Sequence, residues 1–446
     1  MQGLLVILIF AVMLVLNVPV AISLGVASFA YLFFMSPLPV DIVVQSFVSG
    51  VDSFTLLAVP FFILAGDVMM EGGISKRLIM FCRVCMGKKI GALGMVTVFA
   101  SMIFAAISGS GPATVACIGG IMIPAMIKER YDRSYSCTLA SCAGALGPII
   151  PPSLSFIMYG VSAQLSITEL FLAGIVPGIL MGVALMVYNR FIAKRHGFGP
   201  GTPGYEQAML AEGGGDQEEL PSLGKATKEA IWSLMVPVII LGGIYGGIFT
   251  PTEAAVVASV YAILIGLFVY REIKFKDLAG IFRKSVLTSG TVMILVACAT
   301  AFGRVLTMEH VPTAVAQIIL GLSTNKYVVL LLINVFLFIV GMLMETLAAI
   351  IILTPILLPV VTQLGVDPVH FGVIMVVNLV IGMCTPPVGV NLFVGARLGG
   401  IKVEKMFKWL VPMIGVLLIV LMAVTYIEPI STFLPNLVKT LSAWGS

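Results

Sequence analysis

The sequence is poor in charged residues, because Asp, Glu, Lys and Arg make up 10% of its 446 residues whereas globular domains carry about 25%. Histidine is scarce, with three residues, and the seven cysteines are scattered apart from one CxxC at Cys82 and Cys85. This pattern gives neither a disulfide framework nor a metal cluster. No phosphate-binding loop of the Walker type is present, which argues against an ATP-driven permease. The net charge is only +4, and nothing in the sequence indicates nucleic-acid binding.

Apolar residues are abundant instead, at 59% of the chain, with a mean hydropathy of +1.12. A soluble fold has too little interior to bury so many apolar side chains, so the sequence predicts an all-α polytopic protein in a lipid bilayer. We predict spans near 3–17, 19–35, 55–70, 136–162, 170–192, 231–248, 252–270, 289–306, 371–396 and 409–427. Two further apolar pairs, 91–107 with 113–128 and 327–343 with 346–362, are each interrupted by small or polar residues, and each pair could be two full spans or one re-entrant hairpin.

The basic residues predict the orientation. Cytoplasmic loops are rich in Lys and Arg, and an outside N-terminus leaves only Arg304, Lys326 and Lys439 of the 25 basic residues on or near the outer side. The N-terminus lacks a basic region before its apolar run, so it reads as a retained first span and not as a cleaved signal. Both termini are then periplasmic, and the polar, Gly-rich and acidic segment 196–230 is a flexible cytoplasmic linker.

The two halves of the chain repeat each other. A shift of 235 positions aligns 91–190 with the second half without a gap and sets Asp132 on Asp367, Gly147 on Gly382 and Pro151 on Pro386. We therefore divide the chain into a first repeat at 1–195, the linker at 196–230, a second repeat at 231–430 and a C-terminal tail at 431–446. Each repeat holds five crossings and one interrupted pair, so the second copy is inverted, which is the architecture of secondary transporters.

Four interruptions lie inside the apolar segments, at 108–114, 147–153, 341–346 and 382–389. Gly and tandem Pro must unwind a helix there, and unwound backbone is tolerated only where protein or water covers it. Carbonyl oxygens at such breaks are good ligands for Na⁺, and half-helix N-termini attract a carboxylate. One such cluster alone is more often a packing device, but four clusters paired by a repeat favour a binding site.

Several polar residues have a structural explanation. Thr250 and Ser166 begin capping patterns, and Asp132 and Asp367 look like helix N-caps. Glu345 has no capping pattern, and a bare carboxylate in hydrocarbon is unfavourable, so it should face a cavity, an ion, a cation partner or a protein interface. Asp67 and Arg304 close two spans at roughly equivalent repeat positions, which makes an ion pair between them one alternative.

These clusters, in this order, resemble the large membrane subunit of tripartite ATP-independent periplasmic transporters. The stretches that carry the resemblance are AISGSGPATVACIGGIMIPAM (106–126), GALGPIIPPSLSFIMYGVSAQLSITELFLAGIVPG (144–178), YGGIFTPTEAAVVASVYA (245–262), GMLMETLAAIIILTPILLPV (341–360) and CTPPVGVNLFV (384–394). The resemblance implies an elevator fold with two re-entrant hairpins, which settles the interrupted pairs. It also implies Na⁺-driven import of an organic acid, such as a C4-dicarboxylate or sialic acid, across a bacterial inner membrane.

The family places a Na⁺ site between each hairpin tip and the facing helix break. Carried over to this sequence, the first site comprises Ser108, Gly109, Ser110, Gly111, Thr114, Gly147, Pro148, Pro151, Ser153 and Ser155. The second comprises Met344, Glu345, Thr346, Thr385, Pro386, Pro387 and Gly389. Ser153, Ser155 and Asn391 are the candidates for contact with the substrate.

Partners follow from the same resemblance: a small membrane subunit of about four helices and a periplasmic solute-binding protein. Nothing before residue 1 corresponds to the small subunit, so we expect a separate chain, and we expect no cofactor besides Na⁺ as the coupling ion. One alternative is a stand-alone Na⁺/carboxylate symporter of the same broad fold. A remote alternative is a channel or an intramembrane enzyme, for which the sequence offers no selectivity ring and no Ser/His pair at depth. The sequence does not identify the organic acid.

Overall fold

The computed structural model describes residues 2–35, 39–87, 89–200, 202, 205, 220–323 and 325–444. Across these ranges the protein is helical and contains no β-strand, which confirms the predicted all-α membrane fold. Nine helices of the described chain are long and apolar enough to cross a membrane. Part of the predicted linker at 196–230, namely 201, 203–204 and 206–219, lies outside the described residues.

The described residues of the first half, up to the linker, form ten helices. They are α1 (Gln2–Val15), α2 (Val20–Met35), α3 (Asp41–Val51), α4 (Phe54–Glu71), α5 (Ile74–Met86), α6 (Ala92–Ser108), α7 (Gly111–Lys128), α8 (Arg133–Gly144), α9 (Leu154–Ala163) and α10 (Ile167–His196). α6 and α7 form the first hairpin. α8 and α9 are the two parts of one broken helix, which the segment 145–153 interrupts.

The second half also forms ten helices within the described residues. They are α11 (Leu223–Tyr245), α12 (Pro251–Val269), α13 (Phe275–Met308), α14 (Val311–Leu322), α15 (Lys326–Leu343), α16 (Thr346–Gln363), α17 (Pro368–Gly382), α18 (Val390–Gly399), α19 (Val403–Tyr426) and α20 (Pro429–Trp444). α15 and α16 form the second hairpin, and α17 and α18 form the second broken helix.

The helix bounds follow the internal repeat. Moved by 235 positions, the bounds of α7 coincide with those of α16, and α6, α8 and α9 fall on α15, α17 and α18 within a few residues. α3 and α4 both fall within the single long helix α13, because the first half bends at Asp52 and Ser53 where the second half continues without a break.

The two repeats interlock through their broken helices. α9, from the first half, packs against α16 and α17 of the second half, and α18 packs in return against α7 and α8 of the first. A separate group of helices, α2, α3, α4, α12 and α13, packs mainly on itself. Each hairpin is therefore covered by a helix from the opposite repeat.

Several elements differ from the expectation. α5, α14 and α20 are helices that we did not predict as spans, the last of them in the segment assigned to a C-terminal tail, and α13 extends well beyond 289–306. These helices are short, or they mix basic with apolar residues, so their mean hydropathy stays below that of a span. In α5, for example, the basic residue Arg77 donates to Glu272 at 2.7 Å and stacks over the Tyr270 ring, so this helix carries charge that a simple span would lack. Partial burial would raise the pKa of Glu272, but Arg77 and Lys76 outweigh it and hold that pKa below its ordinary value.

The predicted caps are confirmed. Asp132 accepts from the Tyr135 amide and Asp367 from the His370 amide, at 2.8 Å and 2.9 Å. Thr250 forms a complete capping box with Glu253 at the start of α12. These polar residues therefore cap the N-termini of their helices.

Asp67 does not pair with Arg304, so that alternative is wrong. The buried Asp67 carboxylate instead bonds Lys284 Nζ at 2.8 Å and Ser285 Oγ at 2.7 Å, which joins α4 to α13. A carboxylate at this depth needs such partners, because an unpaired charge would lose its hydration without compensation. Arg304 therefore does not have Asp67 as an ion-pair partner.

Asp67→Ala is expected to lower the free energy of unfolding by about 1–3 kcal/mol, because Ser285 and the half-exposed Lys284 lose their shared partner. Thermal melting of the purified protein in detergent measures this change. The control is Asp52→Ala, which removes an exposed acid and should stay within about 0.5 kcal/mol of wild type. Equal melting temperatures for the two variants would contradict the assignment.

Candidate functional site

The first hairpin turns within two residues. α6 ends at Ser108, Gly109 adopts a left-handed conformation with a φ of 58°, and α7 begins at Gly111 with Pro112 in its first turn. Glycine takes this φ without a steric penalty, and proline lacks only a donor that the first turn would leave unpaired. The local sequence therefore ends one helix and starts the next within this turn.

Neutral oxygen atoms gather at the tip of this hairpin. Ser108 Oγ and Thr114 Oγ1 lie 2.9 Å apart, and the Thr114 hydroxyl donates to the Ser110 carbonyl oxygen at 2.8 Å. Both hydroxyl-bearing residues are buried. We call these atoms the first seat, and they are of the ligand class that suits a small cation at a helix break.

The first broken helix meets the tip at very close range. A Cβ added to Gly147 would lie 2.5 Å from the Ser110 carbonyl oxygen, and one added to Gly109 would lie 2.9 Å from the Pro152 carbonyl oxygen. Real Cβ atoms do not approach other atoms so closely. The two backbones therefore touch only because glycine stands at both positions, and the structure brings 108–111 together with the break at 147.

Ser153 and Ser155 occupy different places in this break. Ser153 caps α9 by accepting from the Phe156 amide at 3.1 Å, and its hydroxyl donates to the Pro148 carbonyl oxygen. Pro151 and Ser155 are also buried, but no hydrogen bond joins the Ser155 hydroxyl to the described residues of the hairpin. Ser153 therefore holds the break in shape, and its hydroxyl hydrogen is already in use.

The second tip meets the second break in the same manner. A Cβ on Gly382 would lie 2.5 Å from the Gly341 carbonyl carbon, and the Val388 amide donates to the Met342 carbonyl oxygen at 3.2 Å. Met344 ends α15 and the extended Glu345 begins α16. This second seat thus forms where the repeat predicts it.

The second seat differs from the first in its side chains. The buried Thr346 hydroxyl donates to Met383 Sδ at 2.6 Å, and the Thr385 hydroxyl donates to the Ile381 carbonyl oxygen at 2.9 Å. Gly389, with a φ of 48°, starts α18. Pro387 is exposed and, together with Pro386, lines a separate groove beside Arg397 and Lys402, whereas the equivalent Pro151 and Pro152 are buried.

The carboxylate of Glu345 lies at the N-terminus of α16, close to the backbone amides of Leu347 and Ala348. Its side chain is exposed. No basic residue of the described chain lies within ion-pair distance of it. Its position at the hairpin tip leaves the carboxylate available to an ion or to another surface.

The Asn391 side chain lies beside Gly111 of the first hairpin as well as beside Cys384 of the second break. Its amide nitrogen lies 3.5 Å from the Ser141 carbonyl oxygen, and a Cβ on Gly111 would lie 3.0 Å from Asn391 Oδ1. That buried oxygen has no hydrogen-bond partner among the described residues. A buried acceptor without a partner is unfavourable, so an ion or a substrate donor at this point would satisfy it.

A second buried polar cluster, which was not predicted from the sequence, lies beside the second hairpin. The Asn378 amide donates to Asn334 Oδ1 at 2.7 Å, and the Asn334 amide donates to Thr425 Oγ1 at 2.9 Å. These residues join α15, α17 and α19 in the membrane interior. Isolated Asn residues in apolar runs were the available signal, because such residues are unfavourable in lipid unless they find partners.

Comparison with known proteins places the chain among transporters. Residues 7–430 match the family described as "Tripartite ATP-independent periplasmic transporter, DctM component". The chain is 48% identical over 424 residues to the isethionate TRAP transporter permease protein DctMQ of Oleidesulfovibrio alaskensis, covering 95% of this chain but only 65% of that protein. It is 36% identical to the C4-dicarboxylate TRAP transporter large permease protein DctM of Rhodobacter capsulatus, covering 96% and 98% of the two chains.

Two further similarities concern sugar acids and the fold. The sialic acid TRAP transporter large permease protein SiaM of Vibrio cholerae is 38% identical, with 94% of this chain and 95% of that protein covered. Among solved structures, the YdaH transporter of Alcanivorax borkumensis superposes with a TM-score of 0.62 at 14% identity, over 95% and 97% of the two chains. At that identity the likeness shows a common fold alone.

Proposed function

Since the chain belongs to the family of DctM components of tripartite ATP-independent periplasmic (TRAP) transporters, a family of membrane transport proteins rather than enzymes, we propose that it imports an organic acid as the large permease subunit of such a transporter. The observation that carries this proposal is the meeting of two hairpin tips with two broken helices, one pair in each repeat. Such paired breaks are typical of secondary transporters with a site near the membrane midplane.

Sodium is the proposed coupling ion. The first seat supplies Ser108 Oγ, Thr114 Oγ1 and the Ser110 carbonyl oxygen, and the second supplies Thr346 and the backbone of its break. Neutral oxygens suit a monovalent cation that must be released again in each cycle. The unpaired Asn391 Oδ1 beside the first seat supports an occupant there.

The proposed motion is an elevator. The hairpins and broken helices interlock across the two repeats, so they form one body, while α2, α3, α4, α12 and α13 pack as a second group. A body that carries both seats can move against the other group without disturbing either seat. Such movement gives alternating access with the seats intact.

The proposed setting is a bacterial inner membrane with both termini periplasmic and the linker cytoplasmic, because the basic residues then concentrate on the inner side. The relatives named for isethionate, C4-dicarboxylates and sialic acid support an organic anion as the substrate. We further propose a small membrane subunit and a periplasmic solute-binding protein as partners. The fused DctMQ relative, of which this chain covers 65%, supports the first of them.

Reconstitution in proteoliposomes tests this function. The chain with its two partners should take up isethionate, succinate or N-acetylneuraminate when an inward Na⁺ gradient is applied, and uptake should stop when K⁺ replaces Na⁺. The chain alone should be inactive. Equal uptake by the chain alone would establish the stand-alone symporter instead, and uptake without any ion gradient would indicate a channel.

Glu345→Gln separates two roles for the exposed tip carboxylate. If the charge attracts Na⁺, we expect the Na⁺ concentration for half-maximal uptake to rise about threefold to tenfold, since 1.4 kcal/mol corresponds to a factor of ten. If the carboxylate bonds to the facing helices when the tip docks, the maximal rate should fall with little change in Na⁺ dependence. Glu309→Gln, at the end of α13, is the control. Wild-type uptake and Na⁺ dependence in Glu345→Gln would exclude both roles.

A further inference from the structure

A cavity of about 600 Å³ lies between the two groups of helices. One wall is formed by α3 and α13, and the other by the C-terminal part of α9 and by α16. Both polar and apolar side chains line the cavity, among them those of Gln45, Ser49, Gln164, Thr300, Arg304 and Ile351. The cavity therefore borders both bodies that the proposed motion separates.

The cavity reaches close to both seats. Met158 lines it, and Ser155 at the first break lies three residues earlier on α9, which is about 4.5 Å along the helix axis. Ile351 lines it as well, five residues after Thr346 on α16, or about 7.5 Å along that axis. A solute in contact with Met158 and Ile351 is therefore within one or two helical turns of Ser155 and Thr346.

Among the described residues that line the cavity, Arg304 is the one that carries a charge. Its side chain is exposed, and no carboxylate of the described residues lies within ion-pair distance of the guanidinium. Asp67, the acid at a roughly equivalent repeat position, pairs instead with Lys284. A guanidinium inside a membrane protein that faces a cavity without a counter-ion marks a functional position, because retaining it there is otherwise unfavourable.

We propose that this cavity binds the incoming organic anion and that Arg304 holds its carboxylate or sulfonate. The inference rests on the proposed import function and adds to it a binding position outside the two seats. A guanidinium presents two parallel N–H donors to such a group, and the surrounding Gln45, Gln164 and Thr300 offer amide and hydroxyl contacts to the remainder of the solute. In the proposed orientation α13 ends at the outer face, so the cavity receives the anion from the periplasmic side.

Uptake by the complete transporter tests the role of the charge. With the solute that the wild type transports, chosen from succinate, isethionate and N-acetylneuraminate, Arg304→Gln should raise the apparent KM at least tenfold. Arg304→Lys should raise it less, since it keeps the charge and loses the paired donors. The control is Arg271→Gln, which removes an exposed arginine outside the cavity and should leave KM unchanged. An unchanged KM in Arg304→Gln would overturn the inference while leaving the import function intact.

Chemical labelling tests the cavity independently of transport. Thr300→Cys, in a background without the seven native cysteines, places a thiol in the lining. The ratio of its reaction rates with an anionic sulfonate-bearing and a cationic ammonium-bearing methanethiosulfonate should fall about tenfold when Arg304 becomes Gln. Millimolar concentrations of the transported anion should protect the thiol only when Arg304 is present. An unchanged ratio, or equal protection in both variants, would overturn the proposal.

The labelling also separates a solute from a lipid headgroup. Liposomes of phosphatidylcholine alone should give the same protection by the anion as liposomes that contain phosphatidylglycerol. Protection that requires phosphatidylglycerol and not the solute would assign Arg304 to a lipid phosphate and overturn the inference. If the wild type transports none of the three solutes, the import function fails for them, and the rate ratio still reports whether the cavity attracts anions.

Discussion

Gly147→Ala and Gly382→Ala are each expected to reduce Na⁺-driven uptake at least tenfold. The added methyl group would lie 2.5 Å from the Ser110 carbonyl oxygen in the first variant and 2.5 Å from the Gly341 carbonyl carbon in the second. Both obstacles are backbone atoms, so relief requires the tip to move away from the break. A displacement of about 1 Å at a site of this kind is enough to lower its function about a hundredfold.

The measurement is initial uptake in proteoliposomes, together with a melting temperature to show that each variant is folded. Gly415→Ala is the matched control, because it lies in α19 with open space around the position of the new methyl group. It should keep wild-type uptake and gain slightly in helix stability, by about 0.5–1 kcal/mol. Normal uptake in Gly147→Ala would contradict the close approach of tip and break. Since Gly147 and Gly382 are repeat partners, a loss in only one would show that the seats contribute unequally.

Ser108→Ala and Thr346→Ala are expected to raise the Na⁺ concentration for half-maximal uptake about tenfold or more. Each substitution removes one buried hydroxyl oxygen. A polar contact to a charged group contributes about 1.5–3 kcal/mol, and about 1.4 kcal/mol corresponds to a factor of ten in the ion concentration. Ser110→Ala should have a smaller effect, because Ser110 contributes its carbonyl oxygen, which alanine retains.

The Na⁺ dependence of initial uptake at saturating organic acid gives this result directly. Ser101→Ala is the control, since Ser101 lies on α6 two turns before the tip and its hydroxyl donates only to the Thr97 carbonyl oxygen of its own helix. It should leave the Na⁺ dependence unchanged. If Ser108→Ala and Thr346→Ala also leave it unchanged, the two hydroxyls do not bind the ion.

Much of this arrangement could be predicted from the sequence because local chemistry determines it. Gly109 and Pro112 favour a turn between two helices regardless of what surrounds them. Asp132 and Asp367 cap their helices by accepting hydrogen bonds from backbone amides only three residues further along the chain. The repeat register adds a long-range constraint, since a break in one half predicts a break 235 positions later. The long apolar helices follow from hydropathy alone.

The remainder depends on packing between segments far apart in the chain. Asn391 follows the second break but lies against Gly111 of the first hairpin. No local sequence pattern predicts a contact between residues so far apart in the chain. Asp67 pairs with Lys284 and not with Arg304, because α4 meets α13 at Lys284, more than about five turns before Arg304. The short helices α5 and α14 also escaped prediction, since a helix that lies against protein need not be apolar all around.

The interlocked broken helices have a consequence for synthesis of the chain at the ribosome. The first hairpin, complete at residue 128, receives its cover from the opposite repeat only when α18 has been made, near residue 399. At about 5–20 residues per second, its oxygen-rich tip must wait on the order of ten seconds or more in the nascent chain. During that interval the hairpin lacks part of its final packing. Mutations in α18 should therefore reduce the yield of a protein whose first half is unaltered.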